Sequence, residues 1–426
     1  MRPFTAFFAL AIAVGVMALP SGACAQENVK PTLCNLWAPD AIAFVDLPGR
    51  PFTPIPSKDG CWIFVSLTTQ GSGPPTPTGI AVLHRVSGVV SLSRTIPIEG
   101  VSGGLVLTHD GKLLIGCVTD GLVFLDTGRL ISGKGDAVQG YLRQSGGKGH
   151  IAPGVVYVNV TSDDQLLFES DELAQRITVI DLQKARNSGF DARSIIGSIP
   201  SGDHPIALVF SRDERFLYAT ASKGAKEWAW PVECAPEGPD PSKAKAADPQ
   251  GAVLVVDVAR ARTDPARSVV SKVPAGCSAV RLALSPAGDT IYVTARNENN
   301  VLAFNADRLV RDPGHALIGK VPVGQSPVGI AVVDKGRKVI VGNSNRFAAG
   351  SDIKQTLTVI DAGRVRAGPR AVLGAIRAAC FPREVRVTSD GRTLLVANFN
   401  SSSVELVDLS RLPLQSSLPP AEPCPK

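Results

Sequence analysis

The sequence predicts an all-β protein, a seven-bladed β-propeller whose blades are four-stranded antiparallel sheets. Three observations lead to this prediction: one short motif occurs seven times, each copy lies among alternating β-branched strands, and most copies begin about 50 residues apart. A single four-stranded sheet of this size cannot bury both of its faces. Radial packing of seven sheets covers them and leaves only short, protected edges.

The repeated motif is a tight turn followed by a strand, as in Asp110–Gly111 before Leu113–Ile115. A strand precedes the turn. An alternating strand that ends in Asp follows, for example Ile177–Asp181, and then a polar stretch and a fourth strand such as Ala316–Val321. Each copy therefore supplies strands A, B, C and D of one blade. The seven copies begin at Asp59, Asp110, Asp163, Asp213, Ala287, Lys335 and Asp390.

The two ends of the propeller are predicted to meet in the last blade. The C-terminal residues 412–426 are Pro-rich and unsuited to strand D, whereas Ala41–Leu47 alternates like a strand and precedes Pro51 as strand D does elsewhere. We therefore expect the N-terminal strand to complete blade 7. The propeller is then one domain over residues 26–411, followed by a Pro-rich tail.

The N-terminus predicts export. Residues 1–25 contain the basic Arg2, a short apolar stretch and an Ala-x-Ala end, which are the parts of a signal peptide cleaved after Ala25. Lipidation at Cys24 is the weaker alternative, because Ser21 stands where a lipoprotein signal usually has Leu. No later segment approaches the ~18 apolar residues of a membrane span. We expect a periplasmic or secreted monomer.

Composition and charge fit a turn-rich globular protein. Hydrophobic residues are 44% and charged residues 19%, with 41 Gly and 33 Pro, which excludes a disordered chain, a coiled coil and a collagen. The net charge is +6, but the Lys and Arg residues are scattered along the chain. Nucleic-acid binding normally requires a concentrated basic patch, so we do not expect it.

Eight cysteines are present, of which seven follow the predicted cleavage site. An odd number leaves one thiol free or paired between chains. Cys117 falls in strand B of blade 2 and is expected to be a buried thiol. The chain has no Cys-x-x-Cys, so neither a zinc ribbon nor a thioredoxin-like site is indicated.

Two disulfides are expected in an exported protein of this topology. Cys234 and Cys277 lie in loops of the same face, where a bond would pin the longest loop. Cys34 precedes the closing strand and Cys424 lies in the tail, so a bond between them would lock the ring. Cys61 is a competing partner for Cys34.

The segment Tyr292–Ala295 followed by Asn297–Phe304 resembles the bacterial YVTN-repeat β-propeller family. Other copies depart further from that pattern, as in Tyr218–Ala221, Val339–Asn343 and Leu395–Asn398. The resemblance covers essentially the whole mature chain. It implies the propeller fold but no single activity, because similar propellers include lactonases acting on sugar-acid lactones, a nitrite-reductase haem domain and cell-surface proteins without known activity.

One long loop distinguishes the top face, the face that carries the B–C and D–A loops. About 74 residues separate the fourth copy from the fifth, and the excess falls in the blade 4 B–C loop, residues 222–250. Trp228 and Trp230 in this insertion are candidates for stacking on a sugar or an aromatic ligand. The favoured alternative is that both pack down on the propeller and anchor the loop.

The remaining candidates for ligand binding come from D–A loops. Asp203, His204, Gln325 and Arg383 are placed to converge on the mouth of the central channel, where propeller sites are expected. The alternative is that they are ordinary turn residues, with His204 solvated.

Catalytic patterns are mostly absent. No His-Glu-x-x-His, Gly-x-Ser-x-Gly or phosphate-binding loop occurs, no His pair has metal-ligand spacing, and no Cys-x-x-Cys-His is present for c-type haem. We expect no cofactor and no metal. The favoured function is a non-catalytic binding or scaffold protein that presents its top face to a protein or glycan of the bacterial envelope. The alternative is a lactonase-like hydrolase at the channel mouth; a haem- or quinone-linked oxidoreductase is a weaker third hypothesis.

Overall fold

The structure of the protein is a computed structural model. It describes residues 40–68, 76–144, 153–236, 247–346 and 355–415, together with Met1, Cys34 and Cys424. The predicted signal peptide lies outside these ranges except for Met1. Within the described ranges, no helix is both long enough and apolar enough to cross a membrane.

Seven four-stranded antiparallel sheets form the blades, as the repeat predicts. In chain order, the first strand is β1 (Ile42–Asp46); blade 1 has β2 (Arg50–Pro56), β3 (Trp62–Thr68), β4 (Gly79–Val86) and β5 (Val89–Pro97); blade 2 has β6 (Val101–Leu107), β7 (Leu113–Val118), β8 (Gly121–Asp126) and β9 (Val138–Arg143); blade 3 has β10 (Val155–Val160), β11 (Leu166–Asp171), β12 (Arg176–Asp181) and β13 (Ile195–Pro200). Blade 4 has β14 (Asp203–Phe210) and β15 (Phe216–Lys223), then the insertion pair β16 (Val232–Cys234) and β17 (Asp248–Pro249), then β18 (Ala252–Asp257) and β19 (Val269–Pro274). Blade 5 has β20 (Ala279–Leu284), β21 (Thr290–Ala295), β22 (Asn300–Asn305) and β23 (Leu317–Pro322); blade 6 has β24 (Pro327–Val333), β25 (Lys338–Asn343), β26 (Thr356–Asp361) and β27 (Val372–Arg377); blade 7 has β28 (Pro382–Val387), β29 (Thr393–Asn398) and β30 (Ser403–Asp408).

The N-terminal strand completes blade 7, which confirms the predicted closure. Strand β1 pairs antiparallel with β30, with Ile42 opposite Val407 and Asp46 opposite Ser403. Val45 and Leu47 pack into the apolar cluster between blades 7 and 1. The two ends of the propeller are thus joined by backbone hydrogen bonds, and no blade is left incomplete.

The recurring Asp of the A–B turn has a local role. In blade 2, Thr108 Oγ1 donates a 2.6 Å hydrogen bond to Asp110 Oδ1, and in blade 7 Thr388 Oγ1 donates to Asp390 Oδ1 at 2.7 Å. The following glycine, Gly111 in blade 2, has φ of 70°, a conformation that glycine adopts without steric cost. Where the Asp-Gly pair occurs it therefore serves the turn, and in blades 3 and 4 Asp164 and Glu214 take the positive φ in place of glycine.

The Asp that ends strand C caps a short helix, where the sequence predicted only a polar stretch. Asp126, Asp181 and Asp257 each accept a 2.8 Å hydrogen bond from the backbone N–H three residues later. Such side chains satisfy the free N–H groups of a helix start. The helices are α1 (Thr127–Ser132), α2 (Leu182–Asn187), α3 (Val258–Ala261) and α4 (Ala306–Arg311). Short 3₁₀ segments are Ala192–Ser194, Lys226–Trp228, Pro265–Arg267, Arg296–Glu298, Pro313–His315, Asp334–Gly336, Ala362–Ala371 and Leu409–Arg411.

The core is divided among the blade interfaces. Each of the seven contacts between neighbouring blades has its own apolar cluster. Buried hydroxyl groups on strand B add polar links to the next blade: Thr220 Oγ1 donates to Val280 O at 2.8 Å, and Thr294 Oγ1 donates to Val328 O at 3.1 Å. The threonine of the repeat segment Tyr292–Ala295 thus joins blade 5 to blade 6.

Three disulfides are present among the described residues, and one predicted pairing is wrong. Cys34 bonds to its competing partner Cys61, and Cys424 bonds to Cys380. Cys61 lies in an A–B turn and Cys380 in a D–A loop, which are at opposite ends of the blades. Since bonded cysteines require Cα atoms within about 7 Å, Cys34 and Cys424 cannot pair.

The tail is attached to blade 6. Gln415 forms an antiparallel bridge with Ala375 of the outer strand β27, and Cys424 is bonded to the loop that follows that strand. Cys117 is a buried free thiol, as predicted. The Cys234–Cys277 bond is confirmed.

Candidate ligand site at the mouth of the central channel

A buried ion cluster spans the central channel. Arg281 Nε donates a 2.7 Å hydrogen bond to Glu384 Oε2, and the two side chains are 4% and 1% exposed. Arg386 contacts the other carboxylate oxygen of Glu384 and donates to the hydroxyl of Tyr157. These residues come from the inner strands of blades 3, 5 and 7, so the cluster forms a floor beneath the top end of the channel.

A cavity of about 80 Å³, here called the inner cavity, lies on this floor. Its apolar lining comes from the inner strands of blades 3 to 6 and from Phe381. Its charged lining is strongly biased towards arginine. The charged residues are Glu172, Arg281, Arg296, Arg346 and Arg383.

Arg383 occupies a position that other blades fill with uncharged residues. When the seven blades are aligned by the pairing of their first two strands, one residue of each inner strand occupies the same position. Arg383 is the only charged residue among these seven. The seven residues are Phe52, Ser102, Val156, Ile206, Val280, Val328 and Arg383.

Aromatic rings hold the Arg383 guanidinium in place. Its Cζ lies 4.0 Å from the ring centroid of Phe52 and 4.7 Å from that of Phe399. The negative face of an aromatic ring attracts such a cation. Burial, followed by the charges of Arg281 and Arg346, lowers the pKa of Arg383 to about 9, so it is protonated at neutral pH.

A second cavity, the outer cavity, has a volume of about 220 Å³ and shares Glu172 and Arg346 with the inner cavity. The two spaces therefore adjoin. The lining of the outer cavity is mainly polar, and Cys234 and Ala235 of the insertion form part of its wall. Its other polar residues are His204, Ser222, Lys223, Asp248, Ser278 and Asn297.

Asp203 and His204 are in contact with each other beside the outer cavity. His204 Nδ1 is 2.7 Å from Asp203 Oδ1, a charge contact that is not aligned as a hydrogen bond. Contact with Asp203 raises the pKa of His204, although burial opposes this shift. Burial raises the pKa of Asp203, but the contact with His204 and the charge of Lys223 outweigh it, so the pKa of Asp203 lies below its usual value. His204 faces the outer cavity, whereas Asp203 lines a neighbouring groove beneath the insertion.

The four predicted D–A residues do not form one cluster. Arg383 lines the inner cavity and His204 the outer cavity, but Gln325 lines neither. The backbone carbonyl of Gln325 accepts a hydrogen bond from the N–H of Asn345, so it stabilises the loop that leads into blade 6. A role of Gln325 in ligand binding stays a prediction.

The two tryptophans of the insertion pack on the propeller, which is the arrangement favoured on the sequence alone. Trp228 and Trp230 are partly buried against the cluster between blades 3 and 4, with ring centroids 4.9 Å apart. A Cβ atom added at Gly224 would lie 2.7 Å from Trp230, so the absence of a side chain there permits this packing. Neither tryptophan lines the two cavities.

The insertion reaches from blade 4 to blade 5, where two adjacent residues, Cys234 and Ala235, are held. The Cys234–Cys277 bond joins it to the D–A loop before blade 5. Asn297 Nδ2 donates a 2.6 Å hydrogen bond to Ala235 O beside this bond. Cys234 and Ala235 thus form a fixed part of the wall at the channel mouth.

Several residues of the site were missed in the sequence. Arg281 and Glu384 lie in inner strands. An alignment of the seven repeats could have identified them, because the other blades have uncharged residues at this position. Glu172, Arg296 and Arg346 lie in B–C loops, which differ in length and sequence among the blades. No repeat signal could therefore identify those three.

Comparison with known proteins supports the fold alone. The chain matches no protein-family model and no curated protein. Among solved structures it resembles the hydrazine synthase of Kuenenia stuttgartiensis, with a TM-score of 0.59, 17% identity, and coverage of 86% of this chain and 97% of that chain. It also resembles a chain in the crystal structure of a mitotic checkpoint complex, with a TM-score of 0.59, 13% identity, and coverage of 94% and 99%. Identities this low carry no information about activity.

Proposed function

We propose that the protein is an exported, monomeric binding propeller of the bacterial envelope, of the YVTN-repeat type, which takes a protein segment or a glycan at the top of its central channel. The observation that carries this proposal is the pair of adjoining cavities, which has a floor of buried ion pairs and a wall held by a disulfide. Concave sites with a few convergent polar groups are typical of ligand binding. Export is supported by the sequence of residues 1–25 and by the three disulfides, which persist in oxidising compartments.

A matched pair of substitutions tests the location of the site. Ala235 is exposed on the wall of the outer cavity, and Ala287 is exposed in a groove on the bottom face between blades 4 and 5. Ala235→Trp should fill the outer cavity, whereas Ala287→Trp adds the same bulk on the opposite face. The probes are soluble peptidoglycan fragments, neutral oligosaccharides and short peptides, with binding measured by calorimetry.

At least one probe should bind the wild type, and Ala235→Trp should weaken that binding at least tenfold while Ala287→Trp leaves it unchanged. Loss of binding in Ala287→Trp alone would place the site on the bottom face and contradict the proposal. Failure of every probe to bind the wild type would also contradict it.

A lactonase-like hydrolase is the second candidate, and the contact between His204 and Asp203 is the observation that favours it. A histidine beside a carboxylate can act as a general base when it faces the substrate. Glu172 lies on the same outer cavity as His204. A panel of lactones tests this candidate. It would be supported if the wild type hydrolyses one of them and His204→Gln lowers that rate more than a hundredfold with folding unchanged. Equal background rates in the wild type and the variant would exclude it.

A further inference from the structure

We propose that the groove between blades 4 and 5 on the bottom face, the face that carries the A–B turns, binds an acidic side chain of a partner protein. This bottom-face groove has a volume of about 640 Å³ and shares no lining residue with the two channel cavities. The inference therefore goes beyond the proposed function, which concerns the top face. Arg212 supplies the donors for the carboxylate, through its backbone N–H and its guanidinium.

Elsewhere on the bottom face, a carboxylate links neighbouring A–B turns. Asp164 in the turn of blade 3 accepts hydrogen bonds from the N–H groups of His109 and Asp110 in the turn of blade 2, at 2.8 and 2.9 Å. Glu214, at the same position in blade 4, accepts from the N–H of Ser162 in blade 3 at 2.9 Å. At two successive contacts, the protein thus places a carboxylate on the N–H groups of the preceding turn.

The side chain beside this N–H also contacts the carboxylate. His109 Nδ1 is 3.1 Å from Asp164 Oδ1, and Ser162 Oγ donates to Glu214 Oε2 at 2.9 Å. Arg212 occupies the equivalent position in blade 4, one residue after the start of the turn. Its guanidinium can reinforce the backbone donor, because hydrogen bonds between charged groups are stronger than neutral ones.

The next contact around the ring lacks the carboxylate. Gly288 of blade 5 stands at the position of Asp164 and Glu214 and carries no side chain. Neither the N–H nor the guanidinium of Arg212 has a hydrogen-bond or ion-pair partner among the described residues. Since the groove is lined by both Arg212 and Gly288, a carboxylate from another molecule can take the position that the two acidic residues fill elsewhere.

The remaining bottom-face contacts do not offer these donors. Pro286, the counterpart of Arg212 in blade 5, has no N–H. Lys58 of blade 1 donates through Nζ to the turn of blade 2, and Ser389 of blade 7 donates to Lys58 O at 2.7 Å, so these turns are linked directly. The counterpart in blade 6 is Asp334, which presents a carboxylate of its own.

The charges of the groove favour an acidic ligand. Three arginines and two aspartates line it, and both aspartates are engaged. Asp307 pairs with Arg311 at 3.1 Å, and Asp213 Oδ1 accepts hydrogen bonds from its own turn. Asp163 makes the same contacts in blade 3, where Glu214 still binds the neighbouring N–H. An acidic residue at this point of the turn therefore does not exclude a carboxylate.

The rest of the groove suits a short peptide segment. Tyr218 lines it with only 3% of the residue exposed, and its hydroxyl has no hydrogen-bond partner among the described residues. This hydroxyl can donate to a peptide carbonyl. Phe216, Ala306 and Val310 supply apolar contacts. The groove is larger than one carboxylate, and the carboxylates at the equivalent positions belong to protein side chains, so we assign an acidic side chain and not a free anion.

Two capped peptides test the ligand class, acetyl-Ala-Glu-Leu-Ala-amide and acetyl-Ala-Gln-Leu-Ala-amide, with succinate as the free carboxylate. Binding to the mature chain is measured by ligand-observed NMR at constant ionic strength, a method suited to the millimolar affinity of one anchored side chain. Arg212→Gln removes the guanidinium, and Arg212→Pro also removes the N–H; Pro286 shows that this turn accepts proline. The matched control is Arg364→Gln, an exposed arginine outside the groove.

We expect the Glu peptide to bind about tenfold more tightly than the Gln peptide or succinate, and Arg212→Gln to weaken it about tenfold. Arg212→Pro should abolish binding, and Arg364→Gln should leave it unchanged. Gly288→Glu should also abolish it by supplying the missing carboxylate, since Asp164 and Glu214 adopt positive φ at this position. Gly288→Ala, which adds the same Cβ without the carboxylate, should bind like the wild type. Thermal unfolding of each variant separates loss of binding from loss of folding.

Equal binding of the two peptides would overturn the proposal, and so would equal losses in Arg212→Gln and Arg364→Gln or in the two variants at Gly288. Succinate that binds as tightly as the Glu peptide would overturn the assignment to a partner protein. The result is separable from the proposed function, because Ala235→Trp on the top face should not affect the Glu peptide, whereas Ala287→Trp should block it in this groove. A Glu peptide that only Ala235→Trp blocks would place its site on the top face and contradict this inference.

Discussion

Asn398 Nδ2 donates a 3.0 Å hydrogen bond to Glu405 Oε2 within blade 7, where neither residue is exposed to solvent. Burial raises the pKa of Glu405 to about 7, although the bond from Asn398 lowers it. The other carboxylate oxygen of Glu405 and the amide oxygen of Asn398 have no hydrogen-bond partner. The protein therefore holds an ionisable group whose charged form is disfavoured by the fold.

Glu405→Gln should stabilise the protein at pH 8 and have little effect at pH 5. In the wild type, the folded state binds more protons than the unfolded state between about pH 4.3 and pH 7, so the free energy of unfolding falls as pH rises through this window. Glutamine has no charge to bury, and we expect a gain of about 1–3 kcal/mol at pH 8. Urea unfolding at the two pH values measures it. The exposed Glu99→Gln is the control, and equal shifts at both pH values would contradict the prediction.

Glu384→Gln should destabilise the channel floor. The substitution leaves the Arg281 and Arg386 guanidinium groups beside a neutral amide in a buried setting, which costs about 3 kcal/mol. The control is Asp307→Asn, which removes the partner of Arg311 in an ion pair that is more than half exposed, and should cost less than about 1 kcal/mol. Similar losses in both variants would show that the floor cluster is not a buried ion network.

Removing the Cys234–Cys277 bond with serines should release the insertion while the blades stay folded. The bond closes a separation of 43 residues, for which chain entropy predicts a stabilisation of about 3–4 kcal/mol. Limited proteolysis should therefore cut within residues 222–250 of this variant faster than in the wild type. The Cys34→Ser/Cys61→Ser variant is the matched control. Equal cleavage rates in the two variants would mean that the bond does not hold the insertion.

Thr294→Val tests the polar link between blades 5 and 6. Valine keeps the shape of threonine but removes the hydroxyl that donates to Val328 O, so a buried carbonyl loses its partner. The free energy of unfolding should fall by about 1–2 kcal/mol. Thr119→Val removes an exposed hydroxyl that donates to Gly100 O, and should change stability by less than about 0.5 kcal/mol. An undisturbed Thr294→Val variant would show that blade contacts depend on apolar packing alone.

The mature chain from residue 26 should yield one thiol per molecule when it is unfolded without a reductant, and none when folded. Cys117 has no exposed surface, and the other six mature cysteines are paired. Thiol titration with and without denaturant measures this. Three or more thiols in the unfolded sample would contradict the pairing.

The fold was predictable from the sequence because its determinants are local and repeated. Asp110–Gly111 and its counterparts specify a turn through their own side chains and backbone conformations. Alternating β-branched residues specify strands, and seven copies of one unit leave radial packing as the way to bury both faces. The closing strand was predictable for the same reason. Blade 7 had only three strands before the Pro-rich tail, and the strand-like segment Ala41–Leu47 belonged to no other blade.

The site was predictable only in part, because it depends on where separate blades meet. Asp203 and His204 adjoin in the sequence, so their contact is local, but Arg281 and Glu384 are 103 residues apart and meet only across the channel. The partner of Cys424 is Cys380, in the loop that follows blade 6, and no local pattern in the sequence encodes this pairing. The blades, their number and their closure thus follow from the amino-acid sequence alone, because each of them depends on a repeated local pattern of turns and alternating strands. The convergence of Arg296, Arg346 and Arg383 above the buried Arg281–Glu384 pair follows from tertiary structure alone, because it depends on the radial distance and register of three different blades.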